Sequence, residues 1–383
     1  MEISSINSTR RPGCPADSIR AAGYAMSATG AKASLFMRRT YTSSFFEEAE
    51  ESSAYDSIYY VLDGWRMTSG HSLRLALLLV LLCSGIAQAQ TKTIGKTQIV
   101  LLGTGTPLPD PERSGPCTAI IVNGIPYLVD FGTGLVRRAA AARNKGVDAL
   151  EPANLKTGFI THLHADHTIG FADIILTPWI MGRKEPLEVY GPAGTQKMAD
   201  HLLKAYEVDV KNRTEGLEHS NATGYKVNVH EINPGIVYRD ENVTVKAFDA
   251  HHGQLPQTFG FRFDTPDRTI VISGDASAQS DVLANCQGCD VLIHEVYTNA
   301  SFALVSSEWK KYRLAYHTSS KQLAEIANKA KPGLLILYHR ANPGCDQART
   351  AECREAGSEE QLLKEIRESY KGNVVAGHDL DIY

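Results

Sequence analysis

The stretch Thr157-Gly158-Phe159-Ile160-Thr161-His162-Leu163-His164-Ala165-Asp166-His167 decides how this chain is read. Thr157 to Thr161 suits a short strand, and the strand runs straight into His162. Three imidazoles and a carboxylate then fall within six residues. Burying so many polar side chains without partners would be strongly unfavourable. A loop at a strand end can instead turn them toward common points. His162 and His164 lie two apart, so in an extended loop they share a side and can grip one ion. Asp166 and His167 follow where the chain turns, and can grip a second. Nitrogen and carboxylate donors without a thiolate suit zinc best, with manganese or iron as alternatives.

Two ions need more ligands than this segment holds. Three later places have the same form, an apolar strand delivering a metal-binding side chain at its C-terminal end. His251 and His252 follow residues 243–250, Asp275 follows residues 269–273, and His339 follows residues 334–338. Open α/β sheets place their sites at such strand ends.

Around these positions the pattern is regular from Thr97 onward. Strands are expected at 98–102, 118–122, 127–129, 187–190, 225–232, 259–263 and 291–294, besides those already named. Helices are expected at 135–144, 194–205, 319–330 and 359–370. Short strands with interleaved helices and no long linker predict one α/β domain over residues 90–383. Gly103-Thr104-Gly105 lacks the third glycine and the following helix of a dinucleotide loop, so it is only a weak nucleotide signal.

The full chain has 383 residues, 43% hydrophobic and 21% charged, with 31 Gly and 16 Pro. Those values exclude a collagen-like, coiled-coil or wholly disordered chain. A net charge of -4 sets up no strong basic field for nucleic acid. Seven cysteines are too few for a disulfide scaffold.

The first ninety residues read differently. Residues 1–66 are rich in Ser, Thr and Ala and show no sustained period, which predicts a disordered extension or a misassigned start. Met67, the basic Arg74, the apolar run Leu75–Cys83 and Ala87-Gln88-Ala89 describe a secretory signal peptide over 67–89. The run is about half the roughly 20 residues a spanning helix needs, so no stable membrane insertion is expected. The expected location is periplasmic or secreted. In an oxidising compartment Cys345 and Cys353 could close a small loop. Cys286 and Cys289 could bridge or sit at a helix end; they resemble half of a zinc ribbon, but no second CxxC exists, so a structural zinc is not expected there.

The His162-x-His164-x-Asp166-His167 motif with its spaced downstream His, Asp and His resembles the metallo-β-lactamase superfamily. The resemblance covers about Thr97 to Tyr383 and implies a four-layer αβ/βα sandwich with a two-metal site along one edge. It implies that His162, His164 and His252 bind one ion and that Asp166, His167 and His339 bind the other. Asp275 would bridge them. His252 is preferred to His251 because His252-Gly253 fits the third motif. Asp130, in Leu128-Val129-Asp130-Phe131-Gly132, matches the first motif and is expected to hold ligands in place rather than bind metal.

Within the superfamily, Leu102-Gly103-Thr104-Gly105-Thr106-Pro107, Tyr190-Gly191-Pro192-x-Gly194 and Asp290-Val291-Leu292-Ile293-His294-Glu295 are similar to ribonuclease Z and related arylsulfatases. So is His317-Thr318-Ser319. That resemblance implies a proton-delivering pair, Glu295 and His317, and places Asp166 in the catalytic set beside them. Two zinc ions with a bridging hydroxide would then attack a phosphodiester or sulfate ester. Two features depart from ribonuclease Z: Ala276 stands where Thr is frequent, and no long Gly- and Pro-rich arm follows Gly194. Residues 206–224 are short and carry both charge signs, at Lys211, Arg213, Glu215 and Glu218. The expectation is therefore an exported hydrolase of small or short flexible esters, with tRNA set aside and a homodimer left open. The alternatives are a tRNA 3′-processing endonuclease of the ribonuclease Z type and a lactonase, which gives no reason for Glu295 and His317.

Overall fold

Alternation along the strands builds the layers. In β1 (Thr97–Gly103) Ile99 and Leu101 face one way, Val100 and Leu102 the other. The same split recurs in β12 (Leu334–Tyr338), where Ile336 joins the first group and Leu335 and Leu337 a third. Strands apolar on both faces must be covered on both faces. The computed structural model describes residues 97–383, and it shows this arrangement. The expected extension over 1–66 and signal peptide over 67–89 lie outside the described residues.

One sheet runs in the order β1, β2 (Cys117–Val122), β3 (Ile125–Val129), β4 (Thr157–Phe159), β5 (Leu187–Gly191), β6 (Val227–Glu231). Its first three strands are antiparallel and the rest parallel. The other sheet contains β7 (Gly235–Arg239), β8 (Thr244–Asp249), β9 (Phe259–Asp264), β10 (Thr269–Ile272), β11 (Val291–Glu295), β12 and β13 (Val374–Ala376), in that spatial order. Strands β10 to β13 are parallel.

The inter-sheet core joins Ile99, Val129 and Phe159 to Phe261, Phe263, Ile293 and Ile336. Outside the first sheet lie α1 (Leu135–Asn144), the single turn α2 (Ala165–Thr168), α3 (Phe171–Ile180), α4 (Thr195–Ala205) and α5 (Glu207–Glu215). On the side of the second sheet follow α6 (Val282–Asn285), α7 (Asn299–Leu304), α8 (Ser307–Tyr316), α9 (Ser320–Ala330), α10 (Cys345–Ala348), α11 (Ala351–Ala356) and α12 (Glu359–Ser369). Leu135, Phe171 and Trp179 cover one sheet, and Leu323, Ala327, Leu362 and Ile366 the other. The four-layer sandwich is the expected one. No helix among the described residues is long and apolar enough to cross a membrane.

Several elements differ from expectation. The strand expected at 225–232 begins at Val227, and the one expected at 157–161 ends at Phe159. Helices α3, α5 and α8 and strands β7 and β13 were not anticipated. Helix α3 is apolar nearly all round and holds Pro178, while α5 buries no residue, so neither shows an amphipathic stripe. Both cysteine pairs are bridged, Cys286–Cys289 and Cys345–Cys353, and Cys117 is the free thiol among the described residues.

Candidate functional site

Strand ends from both sheets meet at one edge. Strand β4 delivers His162 and His164 on extended backbone, then Asp166 and His167 on the turn α2. Strand β8 leads to His252, β10 to Asp275, and β12 directly to His339. The structure brings all seven expected ligands together. One atom from each of His162, His164, His252 and Asp275 lies within 4.8 Å of the others, and the same holds for Asp166, His167 and His339. Asp275 faces both groups. Its Oδ2 lies 3.7 Å from His252 Nε2 and 4.0 Å from His162 Nε2. Its Oδ1 lies 3.4 Å from His167 Nε2 and 3.3 Å from His339 Nδ1.

The atoms turned inward are held that way from behind. His252 Nδ1 donates to the Tyr316 carbonyl at 2.6 Å, which leaves Nε2 as the free lone pair. His162 Nδ1 pairs with Thr161 Oγ1 at 3.0 Å, and His167 Nδ1 donates to Asp130 Oδ2 at 2.8 Å. Asp130 Oδ1 accepts from Thr161 N and Oγ1, so one buried carboxylate braces both histidines. Asp130 and His339 adopt positive φ, 65° and 41°, and so does His251 at 55°. His251 is exposed and lies outside both groups. Gly253 cannot be replaced freely, because a Cβ there would stand 2.0 Å from the Tyr316 ring.

These residues fit divalent ions on their own geometry. His162 Nε2, His167 Nε2, Asp275 Oδ1 and His339 Nδ1 are buried and have no hydrogen-bond partner. Groups so placed are strongly unfavourable unless something satisfies them. The electrostatics agree. Burial pushes His252 down to about 3, leaving a neutral donor. Burial opposes charge on Asp275 too, yet His339 and His167 hold its carboxyl well below the usual range. Burial also opposes charge on His167 and His339, but Asp275 and the other nearby carboxylates push both imidazoles up.

Beside the two groups stand Glu295 and His317. Glu295 Oε1 accepts from Thr318 N at 2.9 Å and Ala276 N at 3.3 Å. Its Oε2 faces His317 Nδ1 at 3.3 Å, and neither atom has another partner. Burial pushes Glu295 up, helped by Asp275, and pushes His317 down to about 4. The opposite shifts favour the carboxyl over the imidazole as the holder of the proton between Oε2 and Nδ1.

Two cavities of about 880 and 720 Å³ meet at this edge. Both are lined by His164, Asp166, Leu108, Pro109 and Tyr312, and the smaller also by His317, Trp309 and Arg349. The wall residues of α8 and of 343–349 were not anticipated. The spacing of Trp309, Tyr312 and Tyr316, at i, i+3 and i+7, was the available signal.

Residues 126–340 match the family model described as the beta-lactamase superfamily domain. Ribonuclease Z of Mycobacterium bovis (strain BCG / Pasteur 1173P2) is 31% identical over 287 residues, which cover 74% of this chain and 96% of that protein. The metallo-beta-lactamase fold protein YhfI from Bacillus subtilis superposes with a TM-score of 0.55 at 16% identity, covering 75% of this chain and 99% of that one. Human tRNase Z, short form, superposes with a TM-score of 0.53 at 22% identity, covering 75% and 98%. At these identities the two structures speak for the fold.

Proposed function

Because the chain belongs to the metallo-β-lactamase superfamily, as an ester-bond hydrolase of its ribonuclease Z branch, we propose that it is a two-metal phosphodiesterase cutting RNA near a 3′ end. His162, His164 and His252 would hold one divalent ion and Asp166, His167 and His339 the other, with Asp275 between them. Bound there, the ions, zinc by donor chemistry, would supply an activated water and neutralise charge on the phosphoryl oxygens. The chain's own residues do the rest. Asp130 and Thr161 fix the imidazoles so that no reorganisation is needed during reaction. His317 lines the cavity and gives the proton on its Nε2 to the departing oxygen. The proton held at Glu295 Oε2 then passes to His317 Nδ1, and the carboxylate left behind keeps its hydrogen bonds from Thr318 N and Ala276 N.

The observation that carries the reading is this proton pair beside two ligand groups sharing Asp275, in a chain that matches a ribonuclease Z over 96% of its length. That match moves tRNA, set aside on the missing arm and the secretory leader, back to the first substrate to test. A second reading is an exported hydrolase of small phosphodiesters or sulfate esters. The two disulfides favour it, since such bonds persist in oxidising compartments.

The full chain, loaded with zinc, should be assayed side by side on a precursor tRNA with a 3′ trailer, bis(p-nitrophenyl) phosphate and p-nitrophenyl sulfate, with Asp275→Ala as blank. Removal of the trailer supports the first reading. Cleavage of the small phosphodiester with an intact precursor moves the protein to the second. Sulfate turnover without either overturns the phosphodiesterase.

A further inference from the structure

The ligand groups and the proton pair recognise a reacting centre and say nothing of what flanks it. Helix α8 does. Trp309, Tyr312 and Tyr316 are spaced to share one helix face. Tyr312 stacks on Tyr316 with ring centres 4.3 Å apart and planes at 16°. Trp309 meets Tyr312 edge-on at 5.5 Å and 85°. A purely structural stripe would be sealed in the core. These rings are only half-buried, and Trp309 and Tyr312 form cavity wall. Leu108 and Pro109 bring apolar surface to the same cavity from a separate segment, and Arg349 brings a cation.

The stripe is registered to the site through the backbone. The Tyr316 carbonyl holds His252, and His317 is the next residue. The Tyr312 ring lies 5.7 Å from the His317 ring. Arg313 pins the helix from its buried side, donating to Ser301 Oγ at 2.8 Å and to the Pro343 carbonyl at 2.7 Å. A group lying on Tyr312 is therefore held at a set distance from the bond that His317 serves.

We propose that Trp309 and Tyr312 form a stacking platform for the nucleobase flanking the scissile phosphodiester, an inference that rests on the phosphodiesterase reading. Every base presents a π-face to an aromatic ring, so such a platform binds without demanding a sequence. It supplies affinity that a chain with net charge -4 does not obtain from a basic field. A cavity of about 720 Å³ suits a nucleotide.

The test is binding, read apart from hydrolysis. The full zinc-loaded chain is titrated with adenosine monophosphate and with ribose 5-phosphate, following indole emission and, independently, heat. Trp179 is fully buried in the helix layer, whereas Trp309 lines the cavity. Adenosine monophosphate is expected to bind about 5- to 150-fold more tightly than ribose 5-phosphate. Tyr312→Leu should erase most of that margin and leave ribose 5-phosphate unchanged, while Tyr312→Phe keeps it. Equal affinity of the two ligands for the unmodified protein, or binding of neither, overturns the platform even if Tyr312→Leu does not fold. An equal loss for both ligands in a folded Tyr312→Leu overturns it as well. Base-dependent binding in a protein that cuts no phosphodiester leaves the platform standing and removes the function proposed above.

Discussion

Replacing Asp130 with Asn isolates what one buried carboxylate does for the metal site. The substitution keeps the size of the side chain, and Asn tolerates the left-handed backbone at this position, where φ is 65°. What changes is one oxygen, which becomes an NH2. The oxygen that remains can accept from Thr161 N, now 2.8 Å from Oδ1, or from His167 Nδ1, now 2.8 Å from Oδ2. If it stays with Thr161, the new NH2 faces His167 Nδ1 and favours the tautomer with the proton on Nε2. That nitrogen points at Asp275 and Asp166 and can no longer offer a lone pair. A hydrogen bond to a charged group contributes about 1.5–3 kcal/mol. At about 1.4 kcal/mol per decade, affinity for the ion held by Asp166, His167 and His339 should fall about 10- to 150-fold. The other group should keep its ion, since His162 is held by Thr161 and His252 by Tyr316. Competition with a chromophoric chelator resolves the two binding steps, and a melting curve of the metal-free variant checks the fold. Two unchanged affinities, or an equal loss in both steps, would refute the reasoning.

Three further outcomes follow from the same geometry. His317→Ala should retain both metals yet slow RNA cleavage by about 10²–10⁴, and slow a p-nitrophenyl ester far less, because nitrophenolate leaves without a proton; equal losses on both substrates would remove the proton-donor role. Metal binding should tighten as pH rises through and above the ordinary imidazole range. His167 and His339 are pushed up by the surrounding carboxylates against the effect of burial, and their protons must be displaced; calorimetry in buffers of different ionisation enthalpy should register proton release, and its absence would count against those two ligands. Arg183→Met should destabilise the fold by about 2–4 kcal/mol in urea titrations, because the buried guanidinium bonds the carbonyls of Leu155, Ile174, Ile175 and Gly224; a loss below about 0.5 kcal/mol would mean that the carbonyls find other partners.

The candidate ligands were legible because they stand at or just beyond the ends of apolar strands. Ile270–Ile272 continues into Ser273-Gly274-Asp275, and Leu335–Tyr338 into His339, so the switch from apolar to metal-binding residue is itself the signal. The two braces behind the histidines divide differently. Asp130 follows a strand and was visible, but the Tyr316 carbonyl is backbone and has no letter in the sequence. The walls were hidden for another reason. Helix α8 mixes Trp, Tyr, Lys and Arg because it packs on one side against Arg313's partners and opens on the other to a cavity. Helix α3 hides in the opposite way: it is apolar enough to lose its period. Strands β7 and β13 are sheet edges paired on one side, too short or too exposed to stand out.

How RNA would be held can be argued from α5 and its neighbours. A long basic arm grips nucleic acid by releasing counterions, and each phosphate contact on a single strand contributes a slope of about -0.7 in log affinity against log salt. Here several cations are already engaged. Lys204 pairs with Glu207, Lys211 with Glu215, and Arg213 with both Asp209 and Glu218. Exposed pairs are weak, but they cancel the field that would draw a phosphate chain from a distance. Arg349 on the cavity wall remains, with Arg113, whose guanidinium also donates to Thr104, in the neighbouring cavity. Two phosphate contacts give a slope near -1.4, against about -4 or steeper for a grip on six. Substrate affinity should thus depend weakly on salt, and the KM for RNA measured between 50 and 300 mM chloride reads that slope directly. A steep slope would mean that a charged surface beyond the cavity walls does the holding; a shallow one leaves the rings of α8 and the two ions to choose the substrate.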